Sequence, residues 1–161
     1  DSSVTGVQTC ALPICAEPVD FHALLKGADV VSVHCPRDAS TLGLFGADAF
    51  SRMKRGAYFI NTARGGIHDQ TALHHALESG HLRGAGLDVW QIEPPALDDP
   101  LLNHPAVVAT YHTAGVTIEA RMRTAAWAAD QLVAMLRGGT PPRVVNPAVW
   151  ARFQERLGSL L

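Results

Sequence analysis

Four short apolar runs, each ending abruptly in polar residues and separated by helical patterns or turns, constrain what this 161-residue chain can fold into. The sharpest is Ala57-Tyr58-Phe59-Ile60-Asn61-Thr62-Ala63-Arg64-Gly65-Gly66, where an apolar run ends in Asn, then small residues, then Arg and two glycines. It reads as a buried strand that stops at a polar edge and turns sharply. Arg64 stands just past that strand. A guanidinium placed there can face a cleft, and its planar fork suits a carboxylate held bidentately. From this stretch alone, an Arg in an ordinary surface turn is an equal alternative.

The neighbouring segments alternate helix and strand. Residues 21–27 read as a short helix closed by Gly27. Val30-Val31-Ser32-Val33-His34-Cys35-Pro36 is a β-branched run, a strand ended by Pro36. Residues 48–53 form a short helix before the Arg64 strand. Asp69 is the expected N-cap of a helix over 70–79, with Leu73, Ala76 and Leu77 on one face and Gly80 as the stop. Gly84-Ala85-Gly86-Leu87-Asp88-Val89 and Ala106-Val107-Val108-Ala109-Thr110-Tyr111 are the remaining strands, separated by a loop rich in Pro and Asp. Thr117 caps a long helix to about Arg137, whose Ala125, Ala128, Ala129, Leu132, Val133 and Leu136 are expected on a buried side. A Pro-containing extension and a short amphipathic piece, residues 149–157, follow.

Alternating β and α units with nearly continuous apolar strands indicate an α/β fold: a parallel sheet with helices packed on it. Ligands bind such sheets outside the carboxyl ends of the strands. His34-Cys35-Pro36 follows the first strand, Thr62-Ala63-Arg64 the second, Asp88 and then Glu93 the third, and His112-Thr113-Ala114-Gly115 the fourth. An Arg, acids and a His therefore meet at one edge of one sheet.

Bulk properties exclude several classes. The net charge is −2 with no basic run, which does not suggest nucleic acid or an anionic membrane surface. No apolar stretch is long enough to span a bilayer. Three cysteines without repeated spacing argue against a disulfide framework and for a reducing, cytoplasmic setting. No Gly-x-Ser-x-Gly elbow and no spaced Cys/His metal set is present.

Val4-Thr5-Gly6-Val7-Gln8-Thr9-Cys10-Ala11-Leu12-Pro13-Ile14 has neither helical nor strand period. It matches the conceptual translation of a common short-read sequencing adapter. Residues 1–14 are therefore read as foreign and set aside, as an expression scar would be. The natural product is then expected to begin upstream, with this chain its C-terminal fragment.

The clustered groups suit acid–base chemistry on a carboxylate substrate. A His can take or give a proton near neutrality. A neighbouring carboxylate fixes its tautomer and favours the imidazolium. An Arg holds a substrate carboxylate and polarises an adjacent carbonyl. Ester hydrolysis or decarboxylation would also be open to such a set.

The blocks quoted above, with Met53-Lys54-Arg55-Gly56 ahead of the Arg64 strand and Trp90-Gln91-Ile92-Glu93-Pro94 after Val89, resemble those of D-isomer-specific 2-hydroxyacid dehydrogenases. They occur in the same order, over roughly residues 15–147. Four blocks in order are far more specific than one. The resemblance implies the C-terminal half of a Rossmann-like doubly wound parallel sheet, a partial NAD(P)-binding domain over residues 15–137 that is incomplete without its upstream half. Residues 138–161 would be an extension toward a substrate domain absent from the chain. It implies Arg64 as the catalytic Arg, Glu93 as the acid orienting the base, and His112 as the acid/base. It implies NAD or NADP, bordered by Cys35, Thr41, Thr62, Ala63, Arg64, Asp88, His112 and Gly115, with Asp88 meeting the nicotinamide carboxamide. The reaction implied is hydride transfer between the cofactor and C2 of a D-2-hydroxy or 2-keto acid, in a homodimeric parent. The family fold also serves in corepressors that bind nucleotide and recruit partners, which is the alternative.

Departures accompany the resemblance. Tyr111 stands where the family usually has Pro before the His, and His68 replaces a usual aliphatic residue. No Gly-x-Gly-x-x-Gly occurs, so the phosphate-binding turn and ribose-binding acid are missing. The isolated chain is expected to be inactive, half a sheet leaving an exposed edge. Glu93 argues against the formate dehydrogenase branch, which carries Gln there. His68, His74, His75 and His81 are read as surface residues rather than a metal site. Cys35 is read as a small packed residue rather than a reactive thiol.

Overall fold

The computed structural model describes residues 16–159; the adapter-like segment lies outside them. It divides into a first unit ending at Ala114 and a second beginning at Gly115. In the first unit, helix α1 (Phe21–Gly27) precedes strand β1 (Val30–Val33). Helix α2 (Ala47–Arg52), strand β2 (Tyr58–Asn61), helix α3 (Gln70–Glu78) and strands β3 (Gly84–Leu87) and β4 (Val107–Ala109) follow. The four strands form one parallel sheet in the order β1-β2-β3-β4.

Helix starts follow local chemistry. The Asp20 carboxylate accepts the Ala23 N–H at 2.9 Å, and the Asp69 carboxylate accepts the Ala72 N–H at 3.0 Å, so each satisfies a donor left free in the first turn. Leu73 and Leu77, four residues apart on α3, are buried together.

Strand alternation decides where the core lies. Val31 pairs with Phe59 and Phe59 with Ala85; Val33 pairs with Asn61 and Asn61 with Leu87. All six are buried, against Leu25 of α1, Ala49 and Phe50 of α2, and Leu73 and Leu77 of α3. Four aromatic rings knit this side: Phe45 lies 5.3 Å from Phe21 and 5.0 Å from Phe59, and Phe50 lies 5.1 Å from Phe59. Such pairs add about 0.5–1.5 kcal/mol each beyond the area they bury. The opposite face behaves otherwise. Val30, Tyr58 and Val108 are exposed, Val108 at 74%. Within this unit, helices cover one face of the sheet and the other is open.

The expectation that His68 lies on the surface is overturned. His68 is only 1% exposed. A parallel β-bridge between Phe45 and His68 draws this segment against the core, with the imidazole 5.5 Å from the Phe59 ring. Burial pulls its pKa down to about 4, the charge on neighbouring Asp69 opposing the shift only in part. His81 is also partly withdrawn, its ring nitrogen bonded to the Met53 carbonyl oxygen at 2.9 Å. His75 is exposed as expected.

The second unit contains helix α4 (Ile118–Leu136), a 3₁₀ turn (Pro147–Val149) and helix α5 (Trp150–Gly158). Thr117 caps α4, its hydroxyl accepting the Ala120 N–H at 3.0 Å. The far end closes with Gly138 at φ 79°: the Gly138 N–H reaches Met135 O and the Gly139 N–H reaches Ala134 O. The expected buried side of α4 is a second correction. The helix has no buried residue, and Leu132, Val133 and Leu136 are exposed. Apolar spacing selects the face a helix can bury, but burial needs a partner element. Within this unit, Arg143 lies 4.6 Å over the Trp127 ring and Trp150 stacks on Phe153.

Candidate active site

The strand ends of the first unit carry the proposed chemistry, and Asp88 anchors it. Asp88 directly follows β3 and is 3% exposed. Its carboxylate accepts the Thr110 hydroxyl at 2.5 Å, the Thr113 N–H at 2.7 Å and the Ala114 N–H at 3.0 Å. Its main-chain carbonyl accepts the His112 N–H at 2.6 Å. Burial works against ionisation here. The Thr110 hydroxyl and the Thr113 and Ala114 N–H groups outweigh it, with His112 adding to them, and the carboxyl stays below its ordinary pKa.

This anchor explains an unusual backbone. His112 is at φ 54°, the one non-glycine residue with positive φ among those described. A left-handed conformation is costly for a residue with a Cβ and persists only where the surroundings impose it. Here the N–H groups of three successive residues, 112–114, are gathered onto one aspartate.

The His112 side chain projects to solvent and meets Glu93. Its Nδ1 lies 2.8 Å from Glu93 Oε2, with the side chains 45% and 37% exposed. A carboxylate only accepts, so the Nδ1 proton points at Glu93 and Nε2 is left to exchange a proton with a ligand. Glu93 is fixed in turn: its Oε1 accepts the Trp90 N–H at 3.0 Å. The bond from His112, then that from Trp90, holds the Glu93 carboxyl below its usual pKa.

Arg64 lies on the turn after β2, exposed; one guanidinium N–H donates to Ala63 O at 2.6 Å. It makes no ion pair with Glu93. The turn is tied to the Glu93 loop through the main chain: a methyl group on Gly65 would lie 1.7 Å from the Trp90 carbonyl oxygen. From inside, the buried Asn61 amide closes the turn, its Nδ2 donating to Arg64 O at 3.0 Å.

The remaining candidates occupy these edges differently. Cys35 is half-buried at the margin of the core, as the packed-residue reading expects. The Thr41 hydroxyl is spent within its own loop, donating to Pro36 O at 2.7 Å and accepting the Asp38 N–H at 2.9 Å. Thr62 is exposed, and the Ala63 N–H donates to Asn61 Oδ1 at 2.9 Å. Gly115 opens the second unit. Sequence reasoning did not single out Trp90 or Thr110. Trp90 is 2% exposed and its indole N–H donates to Thr110 O at 2.9 Å while its main-chain N–H donates to Glu93, so it holds both the segment after β4 that leads to His112 and the loop bearing Glu93. Only the position of Trp90, between the strand end and Glu93, hinted at this.

Residues 4–114 match the sequence profile of the D-isomer specific 2-hydroxyacid dehydrogenase NAD binding domain. The chain belongs to that family. It is 44% identical over 133 residues to a glyoxylate reductase of Korarchaeum cryptofilum, covering 83% of this chain and 40% of that protein. Against a D-3-phosphoglycerate dehydrogenase of Archaeoglobus fulgidus it is 43% identical over 128 residues, 80% of this chain and 24% of the relative. A Thermus thermophilus protein of known crystal structure superposes with a TM-score of 0.79 at 42% identity, over 83% of this chain and 43% of that one. The chain thus spans less than half the length of these curated relatives. The Rossmann-like parallel fold expected from the four blocks is the fold observed. Among the described residues, no helix is long and apolar enough to cross a membrane.

Proposed function

We propose that the protein carrying this chain is an NAD- or NADP-dependent D-2-hydroxyacid dehydrogenase, with Arg64, Glu93 and His112 as its catalytic residues. The observation that carries the proposal is the His112–Glu93 pair, whose Nδ1-to-carboxylate bond leaves Nε2 free at the carboxyl ends of the strands. In this reading residues 15–137 belong to the dinucleotide-binding domain and 138–161 lead toward a substrate domain.

The residues present fit one half of a dinucleotide. Exposed Thr62 and half-buried Cys35 and Ala63 sit just past β1 and β2, and Asp88 Oδ2 has one internal partner. The phosphate-binding glycines are not in this sequence. We assign Cys35, Thr41, Thr62, Ala63, Asp88 and Gly115 to the cofactor's border. When bound, the nicotinamide supplies the hydride chemistry.

The chain's own groups do the rest. Arg64 has guanidinium N–H groups beyond the one given to Ala63, enough to grip a substrate carboxylate. His112 Nε2 accepts the C2 hydroxyl proton during oxidation, and protonated His112 returns it during reduction. Glu93 holds the ring in the required tautomer and stabilises the imidazolium. Glyoxylate, hydroxypyruvate and 3-phosphohydroxypyruvate are the substrates to try, as small 2-keto acids. A homodimer in the cytoplasm belongs to the same proposal.

The test follows NADH and NADPH oxidation with that panel, using the gene product that carries this chain, beside His112→Ala and Arg64→Ala. Turnover abolished by both substitutions is the expected result. Nucleotide binding without turnover of any 2-keto acid would favour the corepressor-like alternative.

A further inference from the structure

Asn61 and His68 form a buried polar pair beneath the Arg64 turn. Asn61 is fully buried, and its amide is used on every side. Oδ1 accepts the Ala63 N–H at 2.9 Å; Nδ2 lies 3.0 Å from Arg64 O and 2.9 Å from His68 Nδ1. Chemistry fixes the orientation of this amide. The Ala63 N–H must meet oxygen, and the Arg64 carbonyl must meet the NH₂ group. Nδ2 therefore donates to His68 Nδ1, and the ring proton of neutral His68 sits on Nε2. That N–H is buried with no hydrogen-bond partner. A buried donor without an acceptor is unfavourable. An aliphatic side chain would fill the same space without that cost. What the imidazole adds is the Nδ1 acceptor.

We propose that His68 is a positioning residue for Arg64: by taking the second amide hydrogen of Asn61, it locks the rotamer that pins the Arg64 turn at both Ala63 and Arg64. The bridge to Phe45 and the Phe59 ring hold the imidazole in place for this. The proposal rests on reading Arg64 as the group that grips a carboxylate. His68 touches no reacting atom and acts through Asn61.

The test uses ¹⁵N-labelled full chain. Long-range ¹H–¹⁵N spectra report the His68 tautomer, and amide exchange reports the Ala63 N–H. The expected result is an unprotonated Nδ1 in the wild type. In His68→Leu, exchange at Ala63 speeds up about tenfold, the loss of one buried hydrogen bond. The sheet bond from the Ala85 N–H to Ala106 O stays protected. His68→Asn restores Ala63 protection, because an Asn Oδ1 lies close to where Nδ1 was. A protonated Nδ1, unchanged Ala63 exchange in His68→Leu, or no rescue by His68→Asn would overturn the proposal. Should His68→Leu fail to fold, the wild-type tautomer and His68→Asn decide. Oxamate titration of wild type and Arg64→Ala tests the Arg64 reading separately: equal binding by both rejects that reading, while the spectra still decide whether His68 holds the turn.

Discussion

Gly65 and Trp90 meet backbone to backbone: a side chain on Gly65 would place its Cβ 1.7 Å from the Trp90 carbonyl oxygen and 2.3 Å from the carbonyl carbon. This contact seats the turn bearing Arg64 against the residue whose N–H holds Glu93. Neither backbone can yield as a flexible side chain would. Gly65→Ala is expected to cost about 3 kcal/mol or more, the upper range for overpacking, and to weaken the Glu93–His112 bond. Denaturant titration measures the first effect and the His112 ring chemical shifts the second.

Asp88→Asn tests the anchor under His112. An amide offers one acceptor where the carboxylate offers two, and its NH₂ would face an N–H donor at Thr113 or Ala114. The expected loss is about 2–3 kcal/mol, from charge-assisted bonds and an unsatisfied donor. The pH dependence has a definite sign. The folded carboxyl lies below its ordinary value, so its stabilisation is present above the ordinary Asp range and lost as pH falls through the folded pKa. Thermal unfolding between about pH 7 and about pH 2 should show this loss in the wild type and a flatter profile in Asp88→Asn.

His68 contributes over a different window. Its folded pKa of about 4 lies below the ordinary value of 6.5. The unfolded chain therefore takes up a proton first as pH falls. Stability from this group is complete above about pH 6.5 and declines toward about pH 4, by about 3 kcal/mol at most. Asp69 is the charge that opposes the shift. His68→Leu should remove this part of the slope, measured as denaturation midpoint against pH.

Glu93→Gln keeps a group able to bond His112 Nδ1 but removes the negative charge. If the proposed chemistry holds, kcat should fall about a hundredfold or more, because the imidazolium formed in oxidation loses its partner. Substrate affinity, set by Arg64, should change little. Steady-state kinetics on the gene product carrying this chain separates the two.

Much of this architecture is legible in the sequence because its causes are local. Asp69 and Thr117 cap helices through hydrogen bonds spanning three residues. The β-branched run at residues 30–33 and the apolar run ending at Asn61 are strands of the expected sheet. The pairing of Glu93 with His112 is also readable, through the order of strand ends. What escapes depends on distant partners. His68 is buried because of a bridge to Phe45, which no local pattern announces. The apolar stripe of α4 is present but is not core, since spacing cannot say whether another element covers it. Trp90 holds Thr110 across twenty residues of sequence, beyond the reach of any motif.

Strand register links these features. Asn61 is the last residue of β2, on the buried side with Phe59, and opposite Val33 and Leu87. Because side chains alternate between faces, a slip of β2 by one residue would exchange the two sides. Phe59 would leave the core, and Asn61 would swing to the open face, taking with it the contacts to Ala63, Arg64 and His68. A misaligned β2 would therefore lose both the hydrophobic pairing that builds the core and the polar pairing that shapes the Arg64 turn. Only a correctly aligned sheet carries a formed turn.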